Sequence, residues 1–358
     1  MRDLQDENAA ANLYARPASP FGNQIGLAGQ LAGRPLDSKA RIVLFTAIFG
    51  NATEAPHLPF FFRSAEKSGF DVVVVGDPPV PFEMPPNVRQ LHMTWDHLAN
   101  LVSEKLFDGA NLTNLKAQAQ LGLTYKIIDF KPLYGFLMKE QIEGYDFWGY
   151  CDNDLMLGSA SHFLSPEFLA DKDIISGMEG GEDERTWGPF TLMRNTKQIN
   201  ELFMLSEGEN GLRDLFDSYD TMFFDEWGGN TRQFYNRSMS AIITENEEKL
   251  GLRVYNKGFP IGWDGECEGK AGMQFCSECV LSTEDDKTHL TWNRSLINPE
   301  EKYLVYEVML CHFQVGKKAI RAQLSAMTEV DKAKLLKADP LFYGYPNGFY
   351  PSRVVTYR

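Results

Sequence analysis

The chain has 358 residues, 43% of them apolar and 13% aromatic, with 35 Lys plus Arg against 49 Asp plus Glu and a formal charge of -14. That length and aromatic content bury a sizeable core, as one large domain or two ordinary ones, and exclude wholesale disorder. The anionic surface repels phosphate backbones and anionic lipid, which argues against a nucleic-acid protein or a polybasic membrane-surface protein, although one basic cleft for a phosphorylated substrate stays compatible with it.

Residues 1–38, rich in Ala, Gly, Asn, Gln and Pro and without a sustained period, read as an irregular N-terminal arm. Arg41 to Gly50 is an apolar run ending at Gly, the pattern of a buried strand. Pro59 to Ser68 has helical spacing, and Phe70 to Asp77 is a second buried strand made almost wholly of β-branched residues. Strand, helix and strand this close together make a βαβ unit and begin an open parallel sheet. Val88 to Met93 reads as a third strand, Trp95 to Phe107 as a helix, and Ile127 to Ile142 as another helix entered through Asp129-Phe130-Lys131-Pro132. Phe147 to Cys151 is an aromatic strand that runs straight into Asp152-Asn153-Asp154. Beyond it, Asp173 to Ser176 and Phe190 to Met193 are expected as strands and Thr196 to Phe203 as a helix.

No apolar run approaches the roughly 20 residues that span a bilayer, and Met1 to Asn8 lacks the apolar region of a signal peptide. The five cysteines, Cys151, Cys267, Cys276, Cys279 and Cys311, are few and odd in number, unlike a disulfide-stapled secreted module. The expected home is a reducing cytoplasm. Cys267, Cys276 and Cys279 invite a zinc reading, but three thiolates fall short of the four ligands of a structural site, so ordinary thiols are expected.

The strongest chemical signal is Asp152-Asn153-Asp154. In extended backbone, positions i and i+2 point the same way, so both carboxylates can converge on one cation. Hard oxygen ligands suit Mg²⁺ or Mn²⁺, and the C-terminal end of a strand in an open α/β sheet is where ligands bind. A solvated acidic turn is the plainer alternative.

The run Tyr145-Asp146-Phe147-Trp148-Gly149-Tyr150-Cys151-Asp152-Asn153-Asp154 resembles the Asp-x-Asp region of nucleotide-sugar glycosyltransferases with the GT-A fold. Together with Asp129-Phe130-Lys131-Pro132-Leu133-Tyr134-Gly135 it is similar to a family of such enzymes from polysaccharide-synthesis settings. The resemblance covers residues 41–320. It implies an α/β, GT-A fold, Rossmann-like, with a mostly parallel central sheet and helices on both faces, over residues 39–325, followed by a C-terminal extension at 326–358. It also implies a metal-dependent transferase using Mn²⁺ or Mg²⁺, with a nucleoside-diphosphate sugar as donor and a glycan or other hydroxyl compound as acceptor. A catalytically inactive nucleotide-sugar or carbohydrate-binding protein on the same fold is the alternative.

On that resemblance, Asp129 and Lys131 grip the donor's sugar hydroxyls and phosphate; a surface ion pair is the alternative. His312 is a third metal ligand beside Asp152 and Asp154. Gly316, Lys317 and Lys318 follow it in a segment similar to the His-x-x-Gly-x-x-Lys pattern that ends many GT-A enzymes, with one extra residue between His312 and Gly316. Either Lys317 or Lys318 can then hold the diphosphate, and an extended segment would point the two side chains to opposite sides. Thr46, Ala47 and Phe49 end the first strand, where the nucleotide is seated, and Asp77 can accept from its base or ribose. Asp225 or Glu226, beside Trp227 on a Gly-rich turn, can act as general base toward an acceptor hydroxyl. The His-Gly-Lys likeness leans to retention at the anomeric carbon and a base at Asp225 or Glu226 to inversion.

Overall fold

The computed structural model of the chain describes residues 40–351 other than 51–54, 122–123, 180–183, 207–210, 219, 222, 227–237, 264–276, 294–304, 314–315 and 346–347. The arm expected at 1–38, the turn residues after Glu226, and Cys267 and Cys276 lie outside the described residues.

In chain order the strands are β1 (Ile42–Phe49), β2 (Asp71–Asp77), β3 (Val88–His92), β4 (Phe147–Cys151), β5 (Leu155–Leu157), β6 (Ile174–Ser176), β7 (Phe190–Arg194) and β8 (Val254–Tyr255). They continue with β9 (Ile261–Trp263), β10 (Ser277–Glu284), β11 (Lys287–Asn293), β12 (Val305–Glu307), β13 (Leu310–His312), β14 (Leu341–Tyr345) and β15 (Gly348–Tyr350). A seven-stranded sheet has the order β3-β2-β1-β4-β7-β6-β8. All its pairings are parallel except the two made by β7, so a single strand runs against the rest. The expected α/β class with a mostly parallel central sheet is what the chain forms.

The apolar runs of β1 and β2 are continuous because both faces of this sheet are covered. Val43, Phe45, Val73 and Val75 point into one core with Leu98 and Val102 of the helix Trp95–Phe107. Ile42, Leu44, Val72 and Val74 point into another with Phe61 and Phe62 of the helix Leu58–Glu66. Thr94 caps the first of these helices by accepting from the His97 N–H at 3.1 Å.

Two expected helices are interrupted: the one at Thr196 to Phe203 is a single α-turn, Lys197–Asn200, followed by a 3₁₀ turn, Leu202–Leu205. Residues 127–142 do not form a continuous α-helix: Thr124–Leu133 is a 3₁₀ segment with Pro132 inside it, followed by one short α-turn, Tyr134–Leu137. Proline lacks the N–H that an α-helix interior requires, and its ring crowds the preceding turn.

Two further sheets were not expected. β12-β11-β10-β14-β15 form an antiparallel sheet, and β5-β13-β9 a three-stranded one. The segment read as a C-terminal extension supplies β14 and β15, and Tyr343 and Phe349 enter a third core with Trp292 and Phe313. Cys279 on β10 and Cys311 on β13 form a disulfide, which corrects the expectation of an ordinary thiol at Cys279 and leaves it no thiolate for zinc. Such bonds belong to oxidising surroundings, so this pair gives no support to a reducing compartment. Cys151 is a buried free thiol.

Candidate active site

β1, β2 and β4 run parallel, so Phe49, Asp77 and Cys151 end at one edge of the sheet. From Cys151 the chain passes through Asp152, Asn153 and Asp154 into β5. β5 pairs antiparallel with β13 in a register that sets Leu155 opposite His312. The Phe313 N–H donates to the Asp154 carbonyl at 3.1 Å. This pairing carries a histidine from the far end of the chain to the carboxylates.

One ligand atom from each of Asp152, Asp154 and His312 lies within 4.8 Å of the other two. His312 Nε2 stands 3.4 Å from Asp154 Oδ1, and Lys317 Nζ pairs with Asp154 Oδ2. Both Asp154 oxygens are enclosed, one facing His312 and the other Lys317. Burial alone would push this carboxyl up, but His312 and Lys317 overcome it and hold Asp154 well below the usual carboxylate range. Two hard carboxylates and an imidazole whose ligand atoms converge fit Mn²⁺ or Mg²⁺.

A second group stands beside the first. Lys131 is buried, and its Nζ donates to Asp152 Oδ1, Asp225 Oδ2 and the Gly188 carbonyl, each at 2.8 Å. Burial disfavours its charge, yet Asp152 and Asp225 raise it well above the ordinary lysine value. Asp225 is 2% exposed, and its Oδ1 accepts no hydrogen bond. Burial pushes its carboxyl up to about 7, with Glu226 and Asp152 adding and Lys131 opposing. Glu226 is likewise raised by burial first, and accepts from the Gly188 N–H at 3.0 Å. A Cβ on Gly188 would stand 2.5 Å from Glu226 Oε1 and 2.6 Å from Asp225 Oδ2, so any side chain there would have to displace these carboxylates.

The expected residues thus divide. Lys131, Asp152, Asp154, Asp225, Glu226, His312 and Lys317 are brought together. Asp129 is not available to a donor: it is fully buried, pairs with Lys126 at 2.7 Å and accepts from the Phe224 N–H at 2.9 Å. Thr46 is buried within β1, the Phe49 ring meets Trp95 edge-on at 5.2 Å, and the Asp77 carboxylate pairs with His92 at 2.6 Å. Ala47 is half-buried on β1 beside them. Lys317 opens the helix Lys317–Ala326 and Lys318 is exposed on the next position, so the two diverge around a helix rather than across an extended segment.

Two neighbours went unread in the sequence. His57 Nε2 lies 3.1 Å from Asn153 Oδ1, between the two aspartates, and its ring meets Phe313 edge-on at 5.7 Å. Burial lowers its pKa. Its signal was position, because a histidine opening the first helix after β1 lands at the ligand-binding edge of the sheet. Trp187, just before Gly188, meets the His312 ring edge-on at 5.7 Å.

Residues 46–339 match a family described as a family of unknown function, DUF6625. The chain belongs to that family. No curated protein matches this DUF6625 chain. Among solved structures, it is similar at 12% identity to the galactosyltransferase LgtC in complex with donor and acceptor sugar analogs, over 82% of this chain and 100% of that one, with a TM-score of 0.35. The glycosyltransferase GlyE of Streptococcus pneumoniae TIGR4 is 13% identical over 48% of this chain and 40% of its own, with a TM-score of 0.27. Likenesses at such TM-scores carry no structural argument, and the chemistry of the DUF6625 chain rests on its own residues.

Proposed function

We propose that this protein is a metal-dependent glycosyltransferase of the GT-A type, moving a sugar from a nucleoside-diphosphate sugar to a hydroxyl of a glycan or other acceptor. The observation that carries the reading is the meeting of Asp152, Asp154 and His312 at the C-terminal edge of a mostly parallel sheet, with Lys317 on Asp154. Asp152, Asp154 and His312 would hold the Mn²⁺ or Mg²⁺, which when bound neutralises charge on a diphosphate. Lys317 supplies further positive charge where the leaving diphosphate gains negative charge. Lys131 fixes the two carboxylates it bridges. Asp225, titrating close to neutrality and with one buried oxygen that accepts no hydrogen bond, takes the proton of the acceptor hydroxyl as that hydroxyl's oxygen bonds to the anomeric carbon and the bond to diphosphate breaks. No helix among the described residues is long and apolar enough to cross a membrane.

Titration of the full chain with MnCl₂, and with UDP or GDP in its presence, tests the reading. Saturable Mn²⁺ binding that Asp154→Asn abolishes, together with metal-dependent nucleotide binding, is expected. A wild-type chain that binds neither sinks it.

A further inference from the structure

We propose that Tyr125 and Phe223 form a stacking platform for a sugar ring of the acceptor, beside the carboxylates that Lys131 gathers. The proposal deepens the glycosyltransferase reading and rests on it. Among the described residues the exposed large apolar side chains are Tyr125 at 65%, Phe223 at 36%, Val305 and Val330. The two aromatic ones touch each other, ring centroids 6.3 Å apart and nearly perpendicular. Exposed rings placed together and next to a site are a recognition surface rather than stray surface carbon.

Both rings are held in place by one buried ion pair. Lys126, the neighbour of Tyr125, is 1% exposed and donates from Nζ to the carbonyls of Leu215 at 2.7 Å and Asp220 at 2.8 Å. Its partner Asp129 accepts from the N–H of Phe224, the neighbour of Phe223. Phe223 itself has φ 53°, in the left-handed region that bulky residues avoid, and its carbonyl accepts from the Glu226 N–H at 3.2 Å. Strain of this kind persists where the surroundings over-determine it, and it gathers at binding sites. Here it turns a large apolar ring toward water two residues before Asp225.

The electrostatics select the partner. The Tyr125 phenol is raised first by loss of water around it and then by Asp152 and Asp225, with Lys131 opposing and Glu226 adding, so the ring shares the field of the whole carboxylate group. Three carboxylates around one lysine repel an anionic partner and accept hydrogen bonds from hydroxyls. A pyranose has both required faces: C–H groups that lie on an aromatic ring, and hydroxyls for Asp225 and Glu226. A nucleobase also stacks, and Lys317 stands close enough to Tyr125 for the two to interact, so the nucleotide titration below separates the two ligands.

Saturation-transfer NMR on the full chain with millimolar lactose, maltose, cellobiose and diacetylchitobiose reads the platform directly, alongside the Mn²⁺ and UDP or GDP titrations. At least one disaccharide should bind wild type. Tyr125→Ala and Phe223→Ala should each weaken it about 5- to 10-fold, and Tyr125→Phe, which keeps the ring, should retain most of the affinity. Mn²⁺ and nucleotide affinities should not move in these variants. The platform is overturned if no disaccharide binds wild type, if neither alanine variant changes sugar binding, or if nucleotide affinity falls instead. A wild type that binds Mn²⁺ and nucleotide but no disaccharide sinks the platform alone, whereas one that binds no Mn²⁺ and no nucleotide sinks the glycosyltransferase reading beneath it.

Discussion

Asp154 and Asp225 stand on either side of Asp152, 1% and 2% exposed, and yet they are driven in opposite directions. Burial pushes both carboxyls up. At Asp154 the His312 ring and the Lys317 ammonium face one carboxylate and reverse the effect. At Asp225 a single lysine is shared with Asp152, and Glu226 lies alongside, so burial wins. What faces each carboxylate, and not depth, decides which group stays ionised and which exchanges protons near neutrality.

The comparison can be broken at Asp154 first. Asp154→Asn removes the anion that His312 and Lys317 face, and transfer should fall by at least about 10³-fold, with Mn²⁺ affinity lost in calorimetry. Retained Mn²⁺ affinity would move the metal elsewhere. Next, Lys317→Ala should cost about 10²- to 10³-fold in kcat while Lys318→Ala stays near wild type, a contrast that steady-state kinetics reads directly. On the other side, Lys131→Met leaves Asp152 and Asp225 without the lysine they share. A buried pair broken from one side typically costs about 3–5 kcal/mol, which urea unfolding would register.

The smallest effect sharpens the comparison through pH. Asp225 is raised in the folded state to about 7, from about 3.9 in an unfolded chain. It therefore favours the fold below about pH 4 and loses that contribution as pH rises through 7. Asp154 is depressed, so its contribution is present above the ordinary carboxylate range and is lost only as pH falls below it. Between pH 5 and pH 8 the wild type should lose stability that Asp225→Asn does not lose. Urea midpoints falling in parallel for both proteins would contradict this assignment.

Much of the first half was legible because its determinants are local. The β-branched run of β2 needs only two covered faces, and Asp152 and Asp154 follow a strand whose end any ligand would use. The antiparallel sheet was missed for an equally local reason: its hairpin turns through Asp285 and Asp286, with φ 48° and 61°. Aspartate tolerates that conformation, but the familiar signal is a glycine there. Other features depend on register or burial and leave no mark in spacing. Nothing near His312 says that β13 will face β5, and nothing in Asp129-Phe130-Lys131 says that the lysine enters the site while the aspartate turns to Lys126 and the backbone of Phe224.

The disulfide gives the site a property its polar groups cannot. Cys311 and His312 are adjacent on a three-residue strand, so their side chains leave on opposite sides. One is bonded to Cys279 of β10 and the other meets Asp154. The ligand most distant in sequence is therefore kept in place by a covalent bond rather than by the cation it would hold. A site prepared in this way would have little ordering left to do on binding a cation, and would keep its shape without one.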